Sequence, residues 1–153
     1  MKKLQIVITI LCISVICCSC SITMKAYPVS GPIAESGEIY VFKAKVNNVA
    51  FGNSGTIKMI GHNSEYFEGQ WSSLAGERRS RNNPESNLND ETLIGRYGSE
   101  FGLVPRGNEN RGYAMMVGDK GTLIEIEYLN GAGTAHGFGI GKDNHGNIFK
   151  ILF

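Results

Sequence analysis

The chain has 153 residues, 15 basic and 14 acidic, which is room for one domain around a single core and too little basic excess for a nucleic-acid partner. Setting aside Lys2 and Lys3 at the N-terminus leaves 13 basic residues against 14 acidic ones. The four cysteines all precede Ser21, so the rest of the chain holds no internal disulfide and no thiolate metal site.

Met1-Lys2-Lys3 is a short cationic start, and Leu4 to Cys18 carries no charge and is rich in Ile, Val, Leu and Cys. These are the n-region and h-region of a secretory signal over residues 1–19. A retained transmembrane helix needs about 20 apolar residues, so it would have to include Ser19 to Met24. Residues 20–37 contain Pro, Ser and Gly and read as a tether, and a single β-rich domain is expected over 38–153.

Within that domain, Tyr40, Phe42, Ala44 and Val46 alternate with Val41, Lys43 and Lys45, the two-residue period of a strand with one wet face. A second strand is expected over Thr56 to Ile60, with Gly61-His62-Asn63-Ser64 turning onto Glu65 to Trp71. From Ser72 to Asp90 apolar anchors are few, and a long exposed loop is expected. Glu91 to Phe101 has room for one short helix or strand. Gly112 to Val117 and Thr122 to Leu129 are strands across Gly118-Asp119-Lys120-Gly121, with Ile124, Ile126 and Tyr128 inward and Glu125 and Glu127 outward. A last hairpin joins Ala135–Gly141 to Asn147–Phe153 through Asp143-Asn144-His145-Gly146. All 20 glycines follow residue 30, and glycine suits turns better than helices. The expected fold is therefore all-β, a small antiparallel barrel or sandwich of about seven short strands.

Ser19-Cys20 behind the hydrophobic run resembles the signal of bacterial lipoproteins, although Cys17 stands where that family usually carries an aliphatic residue. The resemblance implies cleavage before Cys20 and acylation of its thiol, with Cys18 as the other candidate. Ser21 in place of the Asp that tends to hold such proteins at the inner membrane points to the outer membrane, and periplasmic or secreted protein is the alternative. Phe67-Glu68-Gly69-Gln70-Trp71 resembles the core of a MORN repeat, a β-hairpin unit. Gly137-Phe138-Gly139 with Phe149 and Phe153 is a looser echo, in which Phe67 superposes on Phe149, Gly55 on Gly137 and Trp71 on Phe153. Asp143 to Phe149 is similar to the ending of small exported bacterial proteins and implies no activity.

Candidate binding residues are Trp71, the loop cations Arg78, Arg79 and Arg81, whose guanidinium forks suit lipid phosphates or an anionic glycan, and His136 in a Gly-rich stretch. No HExxH spacing and no G-x-S-x-G elbow is present, and alternation accounts for Glu125 and Glu127, so no catalytic residue, metal ligand or cofactor is assigned. The leading expectation is a non-enzymatic envelope lipoprotein, held to the membrane through its lipid, that binds an envelope component or protein. Its alternatives are a hydrolase inhibitor acting through the 72–90 loop and, third, a hydrolase using His136 with a carboxylate.

Overall fold

A computed structural model describes residues 21–37, 41–47, 53–74, 92–103, 109–131, 134 and 136–153. It contains eight strands, β1 (Ser21–Ser30), β2 (Phe42–Asn47), β3 (Ser54–Ile60), β4 (Tyr66–Leu74), β5 (Glu109–Gly118), β6 (Leu123–Gly131), β7 (Gly137–Asp143) and β8 (Ile148–Leu152). Two short helices, α1 (Pro32–Glu35) and α2 (Leu93–Tyr97), lie between strands. Each strand pairs antiparallel with its neighbours in the chain, and β1 pairs with β8, which closes the barrel. The all-β expectation holds, and of barrel and sandwich it is the barrel.

The eighth strand is β1, and it corrects the tether expected over 20–37. Ile22, Met24 and Ala26 point inward while Ser21, Thr23 and Lys25 face out, the same two-residue period as in β2. Without β1 the barrel would leave β2 and β8 as open edges. The register shifts between Pro28 and Ser30, a bulge at the closing seam; proline, lacking an N–H, is tolerated at such a place. Six of the seven expected strands have direct counterparts in β2 to β4 and β6 to β8, and β5 extends the remaining one back to Glu109. Glu91 to Phe101 contributes a helix, α2, capped by the Thr92 side chain accepting from Gly95 N–H at 3.0 Å.

Inward residues fill the barrel. Phe42, Ile57, Phe67, Trp71, Met116 and Phe149 are all buried, with Phe42 and Phe149 packed edge to face at 5.8 Å. The remaining void is about 20 Å³ and wholly apolar, as expected of an eight-stranded barrel, whose interior is just wide enough for side chains to fill. Facing out are Lys25, Lys43, Lys45, Lys58, Glu68, Gln70 and Glu125. A membrane-spanning barrel has the opposite arrangement, apolar outside and polar within. Among the described residues no helix is long and apolar enough to cross a membrane.

Antiparallel connectivity gives the barrel two distinct ends. One holds the start of β1, the β2–β3, β4–β5 and β6–β7 connections and the C-terminus. The other holds α1 and the β3–β4, β5–β6 and β7–β8 turns, and there Ile33 of α1 packs on the core while its N–H donates to Asn147 Oδ1 at 2.8 Å. A second apolar cluster lies outside the barrel wall, where Ile94 and Leu103 cover Leu129, Ile140 and Ile148.

Candidate functional site

Among the described residues the middle of the barrel keeps a void of only about 20 Å³, so room for a ligand is found at the barrel's mouth and on its outer wall. Described residues form two sizeable concavities. The first, of about 580 Å³, is the mouth of the barrel at the α1 end, floored by Phe42, Met59, Phe67, Ile124 and Phe149 and rimmed by His62, Glu65, Lys120, Thr122, Asp143 and His145. Its acids are already committed to holding turns. Glu65 Oε1 accepts from Lys120 N–H and Thr122 N–H at 3.2 and 3.1 Å, and its Oε2 accepts from the Thr122 hydroxyl at 2.8 Å. Asp143 Oδ1 accepts from His145 and Asn147 N–H at 2.9 and 2.8 Å, and Oδ2 accepts from Asn147 Nδ2 at 2.7 Å. Carboxylates this fully engaged serve the β5–β6 and β7–β8 turns and have little capacity left for a substrate.

The second groove, of about 640 Å³, runs along the outside of β4 to β7 beside α2. Gln70, Tyr113, Met115, Glu125, Arg96 and Lys142 line it. Tyr113 and Met115 are 40% and 52% exposed, large side chains on the solvent side of β5. Where α2 meets the wall, Glu127 lies almost fully buried although it points outward along β6. Its Oε2 accepts from Ile94 N–H at 3.0 Å, and Arg111 Nε sits 3.1 Å from Oε1. The outward parity expected for Glu125 and Glu127 holds, but α2 covers the second of them.

The residues singled out in the sequence do not come together. Trp71 is 7% exposed, packed in the core with its indole N–H donating to the Asn47 carbonyl at 2.9 Å, and it contributes to the lining of the second groove. Parity accounts for this, because Trp71 shares the inward face of β4 with Phe67. His136 is exposed just before β7 and lines neither groove. His62 and His145 line the same cavity at the α1 end, whereas His136 stands at the other, and among the described residues no three metal-binding side chains converge. Cys20, Cys18, Arg78, Arg79 and Arg81 lie outside the described residues, as does most of the 72–90 loop. The lateral groove was missed, yet it had a signal. Tyr113-Ala114-Met115-Met116-Val117 is apolar at every position, and a strand that needs one apolar face for the barrel has a second to spare.

Fold and surface together define a closed, up-and-down β-barrel with an apolar core and an amphipathic lateral groove. No protein-family model matches the chain, and neither a curated protein nor a solved structure matches it.

Proposed function

We propose that this protein is an envelope lipoprotein, acylated at Cys20 and more suited to the outer than the inner membrane, whose barrel is a non-catalytic module that binds a protein partner. The observation that carries the binding role is the pairing of a filled interior with a groove displaying Tyr113, Met115 and Arg96. Tyr, Met and Arg are the side chains enriched where proteins meet, because each combines a large contact area with an adaptable or polar end. The export and anchoring parts rest on the residue pattern of 1–20 and not on the barrel.

Two experiments test the reading separately. Mass spectrometry of the native N-terminus, with membrane partition of a Cys20→Ala variant, tests the anchor; an unacylated mature chain or an unchanged partition would end it. For binding, crosslinking in intact envelopes compares wild type with Tyr113→Ala/Met115→Ser and with a variant neutralised at Arg78, Arg79 and Arg81. A crosslinked species lost only with the groove variant supports the groove. One lost only with the arginine variant moves the site to the 72–90 loop and favours the inhibitor reading.

A further inference from the structure

The outward face of β1, β2 and β3 is dominated by lysine. Lys25 lies directly opposite Lys43 in the β1–β2 register, and Lys45 lies directly opposite Lys58 in the β2–β3 register. Like charges in directly opposed positions repel and lower stability, yet four lysines occupy neighbouring sites on these strands. The other outward residues described there are Ser21, Thr23, Tyr27, Val29, Asn47, Ser54, Thr56 and Ile60, and none is acidic. Glu68 on β4 stands 3.0 Å from Lys58 Nζ and offsets one of the four charges.

Aliphatic side chains stand among these cations. Ile60, opposite Lys43, is 66% exposed, and Leu152, opposite Lys25, is 39% exposed. Val41, one residue before β2, is also exposed. An ammonium band flanked by exposed aliphatic groups matches a surface that is anionic at one depth and hydrocarbon just below it. Headgroup phosphates would accept from the lysines while Ile60, Leu152 and Val41 enter the headgroup–acyl boundary. An anionic sugar chain would answer the charge and leave the aliphatic groups in water.

We propose that the β1–β3 face docks the barrel on its side against an anionic lipid bilayer. The location of that bilayer rests on the anchored reading above: β1 begins one residue after Cys20, so an acylated Cys20 would place the lipid at the end of the strand that carries Lys25, about 16 Å away at roughly 3.3 Å per residue. One attachment and a cationic patch together make stable membrane binding. Docking by the face itself does not require the acyl chains.

The test uses residues 21–153, which contain every strand of the closed barrel and no lipid. Co-sedimentation with vesicles of phosphatidylglycerol and phosphatidylcholine is compared with vesicles of phosphatidylcholine alone. Binding to the anionic vesicles only, weakened by salt, is expected. The variant with Lys25, Lys43, Lys45 and Lys58 all changed to Gln should lose affinity by about five-fold for each of the three lysines other than Lys58, on the order of 10²-fold in all. Lys25→Gln/Lys45→Gln, which takes one member from each like-charge pair, is a milder second variant and should lose at least ten-fold. Absent vesicle binding, or binding unchanged in both variants, overturns the proposal. Lysine-dependent binding to heparin, a polyanion with no hydrocarbon, but not to vesicles would reassign the face to a glycan and also overturns it. An unacylated Cys20 together with lysine-dependent vesicle binding ends the anchored reading and leaves the docking face standing; the reverse pair of results does the opposite.

Discussion

Arg111 Nε lies 3.1 Å from Glu127 Oε1, and the other oxygen of that carboxylate accepts the Ile94 N–H of α2, so one outward-pointing side chain ties a helix to the barrel wall. The Glu127 side chain is 2% exposed and that of Arg111 24%. Truncating Glu127 removes a buried charge pair and leaves the Ile94 N–H without its acceptor, a loss of about 3 kcal/mol. Glu127→Ala should therefore destabilise the protein by about that amount and release protection of the Ile94 amide in hydrogen exchange. By contrast, Lys58 and Glu68 are exposed partners, and Glu68→Gln should change stability by less than about 1 kcal/mol. Denaturant unfolding of the two variants makes the comparison, and equal losses would contradict the assignment of Glu127 to α2.

Tyr128 supplies a pH dependence. Its ring sits in the barrel against Phe153, edge to face at 5.7 Å, and its hydroxyl donates to the Ser72 carbonyl at 3.1 Å. Burial pushes the phenol up from 10.0 to about 12, because the apolar interior penalises phenolate. A raised pKa in the folded state means that the contribution to stability is whole below pH 10 and is lost as pH rises from 10 to about 12, where the unfolded chain ionises first. The ultraviolet phenolate titration should show a late component that disappears in Tyr128→Phe. The same variant should have a flatter stability profile across that alkaline window.

Much of this barrel is legible in the sequence because a two-residue period needs only a few residues to declare itself. Phe42, Ala44 and Val46 in β2 and Ile124, Ile126 and Tyr128 in β6 are inward as their alternation predicts. β1 was harder to read, since Pro28, Ser30 and Gly31 interrupt the pattern just after Ala26 and resemble linker chemistry. Its partners lie at both ends of the chain, and pairing with β8 is a closure that no local pattern announces. The echo between the two hairpins has a structural counterpart. Gly55 stands opposite Trp71 in β3–β4, and Gly137 exchanges backbone hydrogen bonds with Phe153 at 2.9 and 3.2 Å in β7–β8. The candidate site was less legible, because a groove assembled from β4, β5, β6, β7 and α2 depends on which outward residues the barrel sets side by side. The lysine band is of the same kind: Lys25 and Lys43 are far apart in the chain and meet only through register.

Gly112 lies opposite Tyr128, and a Cβ there would sit 2.1 Å from the ring's Cζ. The tyrosine can relieve this only by leaving the rotamer that reaches Ser72. Gly112→Ala should therefore cost about 1–3 kcal/mol, the range for overpacking a filled core, and shift the late phenol titration back towards an ordinary tyrosine. Gly121→Ala is a useful contrast: nothing lies within 4 Å of its Cβ position, but its φ of +92 lies in the left-handed region. Its cost, about 1 kcal/mol, would come from the backbone alone and should leave the Tyr128 titration unchanged.

The β3–β4 turn stores strain of the same origin. Asn63 and Ser64 have φ of 55 and 57, two consecutive left-handed residues, with Glu65 N–H donating to the His62 carbonyl at 3.2 Å. Such a turn favours Asn followed by Gly, so Asn63 suits its place and Ser64 does not. Ser64→Gly should leave stability unchanged or raise it by a few tenths of a kcal/mol, after the entropy glycine loses on folding is set against the strain relieved. Ser64→Val should lower it by more than about 1 kcal/mol, since a β-branched residue is a clear outlier at positive φ. Thermal unfolding of both variants tests the assignment, and a stabilising valine would refute it.

The opposed lysines make a prediction with an unusual sign. Lys43 faces Lys25 across β1–β2, and Lys142 faces Glu125 across β6–β7, so the same substitution at the two positions has opposite electrostatic consequences. Lys43→Glu replaces a repulsive cross-strand pair by an attractive one and should raise stability by about 0.5 kcal/mol at low salt. Lys142→Glu replaces an attractive pair by a repulsive one and should lower it by a similar amount. Both effects should shrink in about 1 M salt, where screening acts over roughly 3 Å. The stabilised Lys43→Glu protein should at the same time bind anionic vesicles more weakly than wild type. A residue whose removal strengthens the fold while weakening attachment is held at its position by the surface it meets, and a Lys43→Glu protein that is less stable than wild type at low salt would remove that argument.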